Sequence, residues 1–165
     1  MAGNPALWAD VERDLGEAEK SCAGAVMRAE SLDRGAITDP DLRLDRELAV
    51  GTMLHAVYCN LERALERLVR RYDGDLPQGR DYHAELVERA AHDIAGVRPA
   101  MISRATALDL HALRSFRHVV RNNYGGTFAY ERAIPNVNAS VRAVASLRAE
   151  LTSFAMDTGL IGGQT

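Results

Sequence analysis

Apolar residues return every three or four positions along most of this 165-residue chain, the period of a helix that buries one face. From 5 to 31, Leu7, Val11, Leu15, Cys22, Val26 and Met27 supply such a stripe. Asn4-Pro5 opens it, because proline is tolerated in a first helical turn. Leu32 to Asp41, with Gly35 and Pro40, reads as a connector. A second stripe runs from Leu42 to Tyr72 through Leu48, Met53, Leu54, Val57, Leu61, Leu65, Leu68 and Val69. A helix of about eight turns is the length of a bundle element. Asp73-Gly74-Asp75-Leu76-Pro77-Gln78-Gly79 stops it with turn-forming residues. A shorter helix is predicted over 80–94, carrying Tyr82, Leu86, Val87 and Ile94, and broken by Gly96 to Pro99. Leu110, Leu113, Phe116 and Val120 mark a fourth helix from Asp109 to Asn122, ended by Gly125-Gly126. Val137, Val141, Val144, Leu147, Leu151 and Phe154 mark a fifth from Pro135 to Met156. No repeat, low-complexity segment or convincing strand pattern interrupts this order. The expected fold is all-α: an antiparallel bundle of four main helices plus a short one. It forms one domain over 1–158, with a flexible tail at 159–165.

Composition agrees. The chain is 47% hydrophobic and 26% charged, with aromatics at only 5%, while Ala, Leu and Arg favour helix over strand. The length suffices for one sizeable core. The net charge of −3 excludes a generally basic nucleic-acid binder. Any RNA contact must therefore come from a local patch of arginine, the side chain suited to bidentate phosphate contacts. Cys22 and Cys59 sit in helical patterns without a second ligand pair, so free thiols are expected rather than a disulfide. No basic region followed by an apolar core marks the N-terminus as a signal peptide, and no apolar run is long enough to span a bilayer. A soluble cytoplasmic protein is expected.

The chemistry concentrates at the end of the fourth helix, in Arg117-His118-Val119-Val120-Arg121-Asn122-Asn123-Tyr124. Positions 117 and 124 are seven apart and share a helix face. Position 122 would point elsewhere on an ideal helix, but the glycine pair that follows should unwind this end, so all three side chains can border one cleft. The simpler reading is a helix C-terminus, with arginine near the negative end of the dipole and asparagine approaching the cap.

The surrounding text favours the first reading. Leu76-Pro77-Gln78-Gly79-Arg80-Asp81-Tyr82-His83-Ala84-Glu85-Leu86, Gly96-Val97-Arg98-Pro99-Ala100, Leu113-Arg114-Ser115-Phe116-Arg117-His118-Val119 and Tyr58-Cys59-Asn60-Leu61-Glu62 together resemble the HepT-like HEPN ribonuclease toxins over about residues 42–150. That family's signature reads Arg, four residues, His, any residue, Tyr. Arg117 and Tyr124 are in register, but Asn122 occupies the histidine position. The resemblance implies a metal-independent, cofactor-free endoribonuclease that acts on tRNA or mRNA as a homodimer, with the motif helices of two protomers facing each other. Arg117 would hold the phosphate, with Arg121 in support. Tyr124 would receive AMP from an MntA-like nucleotidyltransferase antitoxin, which adds charge and bulk at the cleft.

An amide cannot shuttle protons, so Asn122 implies a weakened enzyme, or one in which His118 replaces the missing imidazole. The competing reading is an inactive HEPN module that binds its nucleotidyltransferase partner without cutting RNA. Glu62 would orient the motif helix by hydrogen bonding or be a solvated surface glutamate. His83 reads first as a hydrogen-bonded structural residue. His55, His92 and His111 show no metal-ligand spacing, and Arg104 with His111 matches the signature only loosely. Arg63, Arg67, Arg70 and Arg71 would form either a phosphate-binding track or a solvated face.

Overall fold

A computed structural model describes residues 3–35, 37–122 and 130–162, and the side chains of all of these except 117–122. Five helices follow in order: α1 Pro5–Asp33, α2 Pro40–Asp73, α3 Tyr82–Ala90, α4 Arg104–Asn122 and α5 Ile134–Asp157, with a 3-10 turn at Tyr130–Arg132 before α5. Among the described residues there is no strand, only an isolated bridge between Ile94 and Arg98. The all-α bundle is as expected.

The caps explain the starts. Asn4 Oδ1 accepts from the amide of Leu7 at 3.1 Å, and Asp39 Oδ1 accepts from Asp41 and Leu42 at 2.9 and 3.3 Å. Each cap satisfies amides that the first helical turn cannot pair, and proline, which lacks one, follows directly. Gly74, at φ 86, ends α2 in a conformation open to glycine.

Two helices depart from the sequence expectation. α4 begins at Arg104, five residues early. Ser103 Oγ accepts from the amide of Thr106 at 3.2 Å, and Glu150 of α5 accepts from the Ser103 amide and the Thr106 hydroxyl, both at 3.0 Å. α3 ends at Ala90 instead of 94. There Arg98 is buried and holds Asp73 through Nε at 2.6 Å and Nη2 at 2.9 Å. The same guanidinium donates to the carbonyls of Arg89, His92 and Pro99. These bonds fix the loop after α3 against the end of α2.

The core forms two clusters. The larger joins Trp8, Leu15, Tyr58, Leu61, Leu86 and Leu113 with residues of α5 such as Leu147 and Leu151. The smaller joins Ala29, Val50, Leu54, Phe116, Tyr130 and Val137. Three residues expected on buried stripes are exposed: Met27 (59%), Leu48 (44%) and Val141 (46%). Periodicity places them beside core faces, but no neighbouring helix covers them. Gly159, at φ 68, turns the chain back. Leu160 docks in the larger cluster, and its carbonyl accepts from the Asn4 amide at 3.2 Å. Fraying from Gly159 onward therefore does not hold for residues 159–161. No described helix is long and apolar enough to cross a membrane, and neither Cys22 nor Cys59 is in a disulfide among the described residues.

The helices around the motif run antiparallel. α2 passes from the smaller cluster at Leu54 into the larger at Val57, while α4 passes from the larger at Leu113 into the smaller at Phe116. The end of α3 packs beside the start of α4. The Ala90 carbonyl accepts from the amides of Met101 and Ile102 at 2.8 and 3.3 Å, and further along α4 His111 Nε2 meets Glu88 Oε1 at 2.6 Å. Arg104, in the first turn of α4, meets the same Glu88 at 2.7 Å, so this one glutamate bridges two turns of α4.

Candidate functional site

The backbone of Arg117, His118, Arg121 and Asn122 lies in the last two turns of α4. Their side chains lie outside the described residues, and Tyr124 lies outside them entirely. The structure describes the core around Phe116, which packs with Ala29, Val50, Leu54 and Tyr130, and a set of polar contacts along α2 and α3.

On α2, Tyr58 and Glu62 are one turn apart and face the same way. The Tyr58 hydroxyl donates to Glu62 Oε1 at 2.8 Å. Tyr58 is fully buried and Glu62 is 9% exposed, so Glu62 is not the solvated surface residue that its arginine neighbours suggest. His83, in the first turn of α3, donates from Nδ1 to the same Glu62 oxygen. The imidazole stays partly open, with 35% of its side chain exposed against 10% for Glu62. A carboxylate with little access to water thus holds a half-exposed imidazole by one nitrogen. This fixes both the ring plane and the tautomer.

Next to it, Tyr82 donates its hydroxyl to Glu66, one turn beyond Glu62. Burial, followed by the Glu66 carboxylate, pushes the Tyr82 phenol well above its ordinary value, so it stays protonated and anchors the start of α3. The Tyr82 and His83 rings meet edge to face at 5.2 Å.

A second histidine–glutamate contact ties the other end of α3 to α4. Glu88 accepts from His111 Nε2 at 2.6 Å and from Arg104 Nη1 at 2.7 Å. Those two partners, His111 first, hold the Glu88 carboxyl below its ordinary value. His111 Nδ1 and Arg114 Nε are buried and have no hydrogen-bond partner among the described residues.

The proposed arginine track on α2 is interrupted. Arg67 turns to α1, meeting Asp14 at 2.6 Å and Asp10 at 3.0 Å, and the Asp14 hydrogen bond raises its pKa further. Arg67 is a helix clamp, and Arg71 lies over the Tyr72 ring at 5.9 Å. Among the described residues, no group of three or more His, Cys, Asp and Glu could hold a metal ion.

Sequence spacing alone could have found the Tyr58–Glu62 contact, since residues four apart meet on a helix. The Glu62–His83 contact could not be found that way. The two residues are separated by the end of α2 and a turn, and only packing brings them together.

A family model described as HepT-like protein matches residues 49–158, more than half of the chain. The match takes in Tyr58, Glu62, His83 and all of α4. Among curated proteins and among solved structures, none matches. The matched span covers most of α2 and all of α3, α4 and α5 of an all-α bundle. The chain belongs to the HepT-like family, as a HEPN-type toxin module.

Proposed function

We propose that this chain is the toxin of a toxin–antitoxin pair and a metal-independent endoribonuclease acting on tRNA or mRNA. The observation that carries this reading is the family match across residues 49–158, within which α4 brings Arg117 and Asn122 to its last turns. Cleavage uses the RNA's own 2′-hydroxyl. Its oxygen forms a bond to the adjacent phosphorus while the bond to the 5′-oxygen breaks, leaving a 2′,3′-cyclic phosphate and a 5′-hydroxyl. The Arg117 guanidinium binds the phosphate and the charge that develops on it. Two protomers facing across their α4 ends form the cleft. Tyr124 is the site at which an MntA-like nucleotidyltransferase silences the toxin. The phenol oxygen attacks the α-phosphorus of ATP, pyrophosphate leaves, and the phenolic proton goes to solvent.

Asn122 supports a second reading, a module that binds its nucleotidyltransferase partner without cutting RNA. The test is cleavage of total tRNA in EDTA by the parent, Arg117→Ala and Asn122→His. The expected result is slow cleavage by the parent and none by Arg117→Ala. Asn122→His should gain activity, because a positioned acid or base contributes ~10²–10⁴ in rate. If neither the parent nor Asn122→His cuts, the ribonuclease reading is lost and the partner-binding module stands. Light scattering at micromolar concentration checks the dimer, and a monomer would remove the composite cleft.

A further inference from the structure

We infer that Arg114 is a second phosphate-binding residue for RNA, one turn before Arg117, so that α4 holds the strand at two neighbouring phosphates. The inference rests on the ribonuclease reading above and adds to it a residue outside the family signature.

The sequence of α4 gives the first observation. Between Asp109 and Glu131 the chain carries Arg114, Arg117 and Arg121, with His111 and His118, and no carboxylate. The arginines are spaced by three and by four, so their positions fall on one face of α4. The chain as a whole has a net charge of −3. This stripe is therefore a local excess of cations, at the helix end where the phosphate of the substrate is expected.

The second observation is the state of Arg114 itself. The other arginines of α3, α4 and α5 with described side chains each hold a carboxylate. Arg89 meets Asp75 at 3.1 Å, Arg104 meets Glu88 at 2.7 Å, Arg142 meets Asp109 at 2.5 Å, and Arg148 meets Glu19. Arg114 makes no ion pair or hydrogen bond among the described residues, although it is half-buried and its Nε is enclosed. An enclosed N–H without an acceptor is a standing cost, and an anion that accepts from it removes that cost. A half-buried arginine lays its stem on apolar surface and keeps its charged end toward water. From there the planar guanidinium offers paired N–H donors that match two phosphate oxygens.

Spacing joins the two observations. Positions 114 and 117 are about 4.5 Å apart along the helix axis, and residues three apart are neighbours on a helix surface. With Arg117 on the phosphate that reacts, Arg114 meets the next phosphate of the same strand. It contributes to binding and register, and moves no proton.

The test measures tRNA binding by the parent, Arg114→Ala, Arg114→Gln and Arg114→Lys over a range of salt concentrations. Thermal melts establish that each variant is folded, and Arg142→Ala is a control with the same change of charge. Each neutralised phosphate contributes ~0.7–0.9 to the slope of log affinity against log salt. Arg114→Ala and Arg114→Gln should each lower the slope by about that much for every Arg114 that meets the RNA. Arg114→Lys should keep it, because a lysine still neutralises a phosphate. Arg142→Ala should leave it at the parent value. An unchanged slope in Arg114→Ala and Arg114→Gln overturns the inference, and Arg114 is then a structural residue. So does an equal drop in Arg142→Ala, since the effect is then one of net charge. A drop in Arg114→Lys as large as in Arg114→Gln does the same, because charge is then not what acts. If the parent binds and cuts tRNA while the Arg114 variants keep its slope, the ribonuclease reading stands without Arg114. A parent that does not bind tRNA removes both.

Discussion

Two histidine–glutamate contacts flank α3, and they are built in opposite ways. At its start, the glutamate is enclosed and the histidine open, with side-chain exposures of 10% for Glu62 and 35% for His83. At its end, the glutamate is the open partner, 38% for Glu88 against 20% for His111. Glu62 also accepts from a buried tyrosine, whereas Glu88 also accepts from an exposed arginine. His111 turns its second ring nitrogen into the protein, where it meets no hydrogen-bond partner among the described residues. The same two residue types thus form two devices. An enclosed carboxylate orients a half-exposed imidazole at one end of α3, while an exposed carboxylate latches α3 to α4 at the other.

The buried pair Arg98–Asp73, whose side chains are 0% and 5% exposed, gives the extreme of a purely structural charge contact. Asp73→Asn leaves the Arg98 cation enclosed without its counter-charge and should cost roughly 3–5 kcal/mol. A chemical-denaturation midpoint measures this, and the folded fraction should keep the parent's RNA affinity. Near-parent stability would show that water reaches Arg98.

Glu62→Gln should cost less. Its stability loss should be smaller, about 1–3 kcal/mol, since the amide oxygen still accepts hydrogen bonds but without charge. The same denaturation midpoints measure it, and a loss as large as that of Asp73→Asn would break the contrast between the two carboxylates.

Glu88→Gln should change stability by only ~0.2–1 kcal/mol, the worth of an exposed ion pair, and leave the cleavage rate where it is. A large loss of rate would tie this end of α3 to the cleft.

The smallest effect concerns acid. The Glu88 carboxyl is held below its unfolded value of 4.5 by His111 and Arg104. A depressed folded value means that its stabilisation is fully present above 4.5 and is lost as pH falls through the lower folded value. Melting temperatures of the parent and Glu88→Gln should differ slightly near pH 6 and converge toward pH 3. A gap that widens on acidification would reverse the assignment.

The sequence by itself determined the helices, because a stripe every three to four residues has one low-energy solution and Asn4-Pro5 and the turn at Gly74 mark two of its limits. It also gave the family, through short segments whose roles are partly visible in the structure: Arg98 locks the loop after α3, and Tyr58 holds Glu62. Tertiary structure decided three other things. It set which apolar residues are covered, and left Met27, Leu48 and Val141 outside, since a period tells which residues share a face but not what packs on it. It moved the start of α4 to Arg104, because part of its cap, Glu150, comes from α5. And it joined Glu62 to His83. Local rules reach three or four residues along a helix, whereas this contact spans a helix end and a turn and forms only once α3 folds back against α2.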